Sequence, residues 1–372
     1  MDSKLYPMKF MPLFKNVVWG GNRIKDLGFD YSPLPNCGEL WALSSVEGRE
    51  SVVANGFLEG NNLAEVLEIY MGELVGERNY EHFGNTFPVL VKLIDSADRL
   101  SVQVHPDDSL ARERGMENGK TEMWYVMQAD PGSEIIDGFA TDVTPDEYQQ
   151  ALQLGKLEQI MHVEHPVAGD CFFIPAGRVH ALGKGLMVAE IQQTSDCTYR
   201  IYDYNRPDAN GRLRELHTAE ALAALDFGAV TDGRSPYTRR NGATMPLQSN
   251  AHFTVNLVDI EKPVRKDLSQ LDSFVAYLCV DGVGAVRALG HAEPLHAGEC
   301  VLVPAVADEV ELYADGHAQM LEISVDPDLW EGDSPSHNHD FDWLAEFVGT
   351  PSQCDCDHHH HHHDGCDCGC NH

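Results

Sequence analysis

Basic charge is what this chain has least of: 26 Lys and Arg stand against 59 Asp and Glu, for a formal net charge of −33. That balance excludes a nucleic-acid surface, because such binding draws its affinity from cations that displace counterions from phosphates. Long hydrophobic runs are missing too: there is no stretch of about 18 uncharged apolar residues. The first 30 residues hold no apolar core ahead of a small-residue cleavage site. Neither a membrane nor a secretory route is therefore expected, and the expected location is the cytoplasm. Paired cysteines are absent from the body, where Cys37, Cys171, Cys197, Cys279 and Cys300 stand apart, as thiols of a reducing compartment do. In so acidic a chain, an anionic ligand has to be met by a local cluster of Arg and Lys.

What is present is enough for a sizeable core: 372 residues, 43% of them hydrophobic, make one large or two ordinary domains. ELWALSS from Glu39 alternates like a strand, and NNLAEVLEIYMGEL from Asn61 places Leu63, Val66, Leu67, Tyr70 and Leu74 on one helical face behind an Asn cap. From Pro88 onward short strands dominate, with VLVKLID, LSVQVH, EMWYVMQ and EIID followed by CFFI, LMVAEIQ and TYRIY. Short strands at close spacing favour sandwiches or barrels over parallel sheets. A helical insert is expected between Asp137 and His165, opened by Thr144-Pro145-Asp146-Glu147, a capping box with Pro at the first helical position. A second helix is expected over Thr218 to Leu225. The turn-rich DGRSPYTRRNG from Asp232 marks a boundary near residue 240, beyond which FTVNLVDI, FVAYLCV, ECVLVPA, EVELYA and QMLEISV are again short strands. The fold class expected is thus all-β with helical insertions, in a domain over 1–240, a second over 241–350, and a tail over 351–372.

In LSVQVHPDD, Gln103 and His105 sit two apart in an alternating run, so a strand directs both to one face. An amide oxygen and an imidazole on one rigid strand are half of a metal site. GDCFFIPAGRVH, from Gly169 to His180, has Gly and Pro bracketing a strand and Gly177 permitting the turn that throws His180 inward. This spacing is the second signature of the cupin fold, a small jelly-roll barrel holding a metal in its mouth. In the first signature Gln103-Val104-His105 replaces His-x-His, and Glu122 follows. Two imidazoles, a carboxylate and an amide oxygen suit zinc and leave it a net charge of about +1. The second domain repeats Gly298 to Pro304, five residues apart, but no Gly-x-x-His follows. A double cupin, two jelly-roll barrels with the metal site in the first barrel only, is the reading.

LSVQVHPDD, GKTEMWYV from Gly119, FIPAGRVHAL from Phe173 and EIQQTSDCTYRIYDYNR from Glu190 together resemble class I mannose-6-phosphate isomerase (phosphomannose isomerase) in its short form, over residues from about 8 to 330. The resemblance implies zinc at Gln103, His105, Glu122 and His180, an active-site arginine at Arg200, and interconversion of mannose 6-phosphate and fructose 6-phosphate. Moving a proton between C1 and C2 through an enediolate needs a base and positive charge at the developing oxygen anions. Glu190 and Lys120 are both candidates for the base, and Arg200 for the charge. Ser101, Lys92 and Arg178 are candidates for the phosphate. Long-form relatives carry a His-Lys-Pro-Glu run where this chain has Gly119-Lys120-Thr121-Glu122, so no role of that extra histidine applies. The alternatives are a non-catalytic metal-holding bicupin that binds sugar phosphate or sequesters metal, and a cupin oxygenase, whose metal prefers more His ligands.

The tail, CDCDHHHHHHDGCDCGCNH from Cys354, holds five cysteines and seven histidines and cannot build a core. Six consecutive histidines suggest an expression tag, but flanking thiols fit a metal-binding tail that buffers or delivers zinc, a second place for metal. If so, deleting 354–372 lowers zinc content and activity under zinc limitation. Unchanged values for both would remove the delivery role.

Overall fold

The computed structural model describes residues 5–208 and 210–330, so the Cys/His tail lies outside the described residues. Three antiparallel sheets account for the architecture. The six-stranded sheet runs in the order Cys171–Ile174, Glu122–Ala129, Leu186–Gln193, Val89–Ser96, Glu39–Leu43, Leu13–Lys15. The five-stranded sheet runs Tyr199–Tyr202, Val102–Val104, His180–Leu182, Ile135–Phe139, Met161–Glu164.

These two sheets share a core. Ile94, Trp124, Val126, Phe172, Ile174 and Val188 from the first pack in one cluster with Ile135 and Leu182 from the second. The alternate residues of the five-stranded sheet, Val102, Val104, Ala181, Tyr199 and Ile201, turn outward into another cluster with Tyr148 and Ala221 of the helices Pro145–Gln153 and Thr218–Ala224. Period-two alternation thus gives each face its own core, and it leaves Gln103, His180 and Arg200 on the face turned toward the six-stranded sheet.

The nine-stranded sheet is built on two long strands, Val275–Ala288 and Glu309–Ser324. Tyr277 and Cys279 from one half of the first, and Val286 and Ala288 from the other, enter the same cluster, as do Val310, Leu312 and Met320 of the second. A strand whose two halves line one core must bend over it. The register shifts between Cys279 and Asp281 and between Gly282 and Gly284 provide the bend. Strands Met8–Met11 and Val52–Val53 also join this sheet, the former pairing with Cys300–Val303.

The expected Asn cap forms at Asn62, which makes a capping box with Glu65, and so does the expected capping box of Thr144 with Glu147, with Pro145 in the first turn. Three local readings need correction. The helix expected through Leu74 breaks at Met71, whose φ is 49°, and resumes as Gly72–Val75 and Glu77–Phe83. The insert expected as helical carries the strand Met161–Glu164, recruited as the edge partner of Ile135–Phe139. EVELYA and QMLEISV are one strand, because the residues between them keep pairing with Val275–Ala288.

Glu322, buried in this third sheet, accepts hydrogen bonds from Tyr277 Oη at 2.8 Å and Asn256 Nδ2 at 3.0 Å and pairs with Lys266 Nζ at 2.6 Å. Burial alone raises its pKa, but Lys266 and the donors outweigh it and hold the carboxyl below its ordinary value. A carboxyl depressed in the folded state contributes stability that is present above its unfolded pKa of about 4.3 and is lost as pH falls through the lower folded value. Urea unfolding followed downward from neutral pH should show Glu322→Gln losing less stability than wild type across that acid window. Identical slopes would mean the cluster is not ionised as drawn.

Candidate metal centre

Glu122 opens the strand Glu122–Ala129, with Ile174 and Gln192 as cross-strand partners, and its side chain is wholly buried. His180 opens its own strand opposite Gln103 and Asp137. His105 follows the strand Val102–Val104 directly and is also buried. Across the shared core, His180 Nε2 lies 3.2 Å from Glu122 Oε1 and His105 Nε2 lies 3.4 Å from Glu122 Oε2. Donor atoms of these three residues all fall within 4.8 Å of one another, the one such group among the described residues. Gln103 Nε2 approaches His180 Nε2 at 3.2 Å, and Ser101 Oγ lies 3.5 Å from Gln103 Oε1.

The electrostatics favour ligands ready for a cation. Burial, then the charge of Lys120, pushes His105 down to about 3, and burial lowers His180, so both imidazoles are neutral near pH 7. Burial works to raise Glu122, but Lys120, His105 and His180 overcome it and hold the carboxyl well below its ordinary value. Neither oxygen of this buried carboxylate has a hydrogen-bond partner, and His105 Nδ1 has none. Lys120 Nζ stands 3.0 Å from Glu122 Oε2 and 3.0 Å from His105 Nε2.

Arg200 faces Gln103 across its strand pair, opposite in direction to Tyr199 and Ile201 as alternation requires. Its Nη1 donates to the Glu215 carbonyl at 2.9 Å, while its Nε is buried without a partner. A row across the five-stranded sheet therefore reads Arg200, Gln103, His180, Asp137. The facing row of the six-stranded sheet reads Trp41, Lys92, Glu190, Trp124, Phe172. In it Glu190 is fully engaged, with Lys92 Nζ 3.0 Å from one oxygen and Trp124 Nε1 donating to the other at 2.9 Å. Lys92 also donates to Gln192 Oε1 at 2.6 Å. Burial depresses Lys92, but Glu190 and Glu39 reverse this, and the ammonium stays charged. Arg178 stands against Asp137, its Nη1 3.4 Å from Oδ1.

Sequence reasoning missed Glu39, Trp41, Gln192 and Lys15. Trp41 Nε1 donates to Glu39 at 2.7 Å, and the Trp41 ring carries Lys15 Nζ at 3.6 Å and Lys92 Nζ at 5.2 Å from its centroid. A cavity of about 480 Å³ opens beside Lys15, Trp41 and Arg49. Alternation in LMVAEIQ already puts Gln192 on the face of Glu190, and a Glu inside ELWALSS is the signal that went unused.

Comparison with known proteins bears on the whole described chain. The catalytic domain of type I phosphomannose isomerases matches residues 8–152. Mannose-6-phosphate isomerase ManA of Bacillus subtilis is 33% identical over 322 residues, spanning 85% of this chain and 98% of the relative. A mannose-6-phosphate isomerase of Streptococcus mutans is 36% identical over 77% of this chain and 89% of its own length. The crystal structure of a Bacillus subtilis mannose 6-phosphate isomerase superimposes with a TM-score of 0.76 at 32% identity, covering 86% of this chain and 99% of the other. A phosphomannose isomerase variant from Salmonella typhimurium, at 15% identity, shares the fold with a TM-score of 0.71.

Because Lys92 and Glu190 neutralise each other in a buried place, Lys92→Met is expected to cost about 3–5 kcal/mol of unfolding free energy by stranding the carboxylate. Adding Glu190→Gln should recover most of it. Additive losses in urea titrations of the two single variants and the double variant would show that the pair is not coupled.

Proposed function

Since the chain belongs to the type I phosphomannose isomerase family, we propose that it interconverts mannose 6-phosphate and fructose 6-phosphate, using one zinc ion held by Gln103, His105, Glu122 and His180. The observation that carries this reading is the meeting of donor atoms from His105, Glu122 and His180, all buried and within 4.8 Å of one another, with both imidazoles neutral. Two neutral imidazole nitrogens converging on a carboxylate, with Lys120 Nζ 3.0 Å away as its present counter-charge, make a nitrogen and oxygen donor set that suits a divalent cation. A half-turn of the Gln103 amide exchanges its oxygen for the nitrogen that now meets His180. Zinc bound there supplies a residual charge of about +1 that favours negative charge on the sugar oxygens at C1 and C2.

The remaining work falls to side chains. A base removes the proton from C2 of the aldose as the C1 carbonyl becomes an enediolate oxygen, and the same group returns the proton to C1 of the ketose while the hydroxyl proton passes from O2 to O1. Lys120 and Glu190 both stay candidates for this role: the oxygens of Glu190 meet Lys92 and Trp124, and Lys120 Nζ meets Glu122 and His105. Arg200, with its unpartnered Nε, stabilises the enediolate charge. Ser101 is assigned to the phosphate, with Lys92, paired with Glu190 and Gln192, and Arg178, paired with Asp137, as the candidate cations. The nine-stranded sheet is read as a second barrel in which, among the described residues, no group of three metal donors comes together, with the boundary between the two domains near residue 240. We place the protein in the cytoplasm; no helix among the described residues is long and apolar enough to cross a membrane.

A coupled assay for fructose 6-phosphate formed from mannose 6-phosphate, on wild type and His180→Ala with and without chelator, tests this. Wild-type turnover should vanish with chelator and return with zinc, and His180→Ala should lose at least about 100-fold. Turnover indifferent to both would remove the zinc mechanism, and metal and sugar-phosphate binding without turnover would favour the non-catalytic bicupin.

A further inference from the structure

We infer that Arg178 and Asp137 form a positioning pair that fixes which nitrogen of His180 is offered to the metal, an inference that rests on the metal site proposed above. His180 Nδ1 lies 2.9 Å from the carbonyl oxygen of Arg178. A carbonyl only accepts, so Nδ1 carries the hydrogen and Nε2 keeps its lone pair toward Gln103 and Glu122. The tautomer is thus set by one backbone carbonyl, and whatever holds that carbonyl holds the ligand.

That carbonyl belongs to a turn in which Arg178 N donates to the Pro175 carbonyl at 3.1 Å and Gly177, at φ 88°, donates to the His105 carbonyl at 2.9 Å. The guanidinium of Arg178 closes the turn from the other side. Its Nη1 donates to the Phe173 carbonyl at 3.2 Å, in the strand before the turn, and to Asp137 Oδ1 at 3.4 Å, in the strand beside His180. Asp137 is the cross-strand partner of His180, is wholly buried, and has no hydrogen-bond partner at Oδ2. A carboxylate so placed needs the guanidinium, and the guanidinium in turn spans both ends of the turn. Neither side chain is a metal donor; both act through the carbonyl, as the outer partners of metal-bound imidazoles do.

Arg178→Ala strands the Asp137 carboxylate and risks unfolding, so the test uses Arg178→Leu combined with Asp137→Leu, and Arg178→Lys, in the full chain. In metal-free wild type, ¹⁵N NMR of the His180 imidazole, identified by its loss in His180→Gln, should show the hydrogen on Nδ1. The double variant should show a mixture of tautomers. In a zinc buffer its isomerase activity should need about 10–100-fold more free zinc for half-maximal turnover, with an unchanged KM, and Arg178→Lys should recover most of the difference. A folded double variant with the wild-type tautomer and zinc requirement overturns the inference. So does a defect confined to KM, which would make Arg178 a phosphate ligand. Activity indifferent to zinc in wild type would strike the metal reading instead, while the tautomer of the metal-free protein still decides this one.

Discussion

A single buried negative charge constrains everything around it. Glu122 sits at the junction of two sheets with no water-facing surface and no hydrogen-bond partner at either oxygen. Left alone it would protonate or unfold its surroundings, since an isolated carboxylate is far less favourable in a low-dielectric interior than in water. It stays ionised because the Lys120 ammonium stands 3.0 Å from it. The imidazoles of His105 and His180 are themselves held neutral by burial, so Lys120 alone balances the carboxylate and the two ring nitrogens remain available as donors. Two neutral imidazoles converging on the same carboxylate distinguish this cluster from an ordinary salt bridge.

The sheets make the cluster possible by presenting two parallel rows of side chains to one shared core. One row carries the donors Gln103 and His180 between Arg200 and Asp137. The other carries the internally neutral pair Lys92 and Glu190 between two tryptophans. Charge is therefore balanced between adjacent partners in the second row, whereas in the first Arg200 and Asp137 stand at opposite ends with the uncharged donors between them. Trp124 links the rows, its ring meeting His180 edge-on with centroids 5.5 Å apart. In a chain of net charge −33 the cations that matter are few and each has a structural reason for its place.

Much of this was legible before folding, wherever the information is local. Alternation in SVQVH directed Gln103 away from its apolar neighbours, alternation in YRIY did the same for Arg200, and the Gly-Pro-Gly-His spacing delivered His180 to the end of its turn. Capping residues marked both helix starts. What could not be read depends on pairing between distant segments. Glu39 and Trp41 matter because their strand pairs with Val89–Ser96, and Asp137 matters because it pairs with His180. The strand Met161–Glu164 exists because an edge was open beside it, against the helical look of its neighbourhood. Two-residue and three-residue strands such as Val52–Val53 and Leu13–Lys15 carry too little pattern to show any period.

The central claim is that His105, His180, Glu122 and Gln103 hold one zinc ion in the core between the two sheets. Anomalous diffraction at the zinc edge from crystals of the full chain grown with zinc tests it directly. The account predicts a peak about 2.0–2.2 Å from Nε2 of both histidines and from a Glu122 oxygen, with the Gln103 amide oxygen turned toward it. Strong zinc peaks elsewhere, with Glu122 still facing Lys120 and no density between the imidazoles, would contradict it.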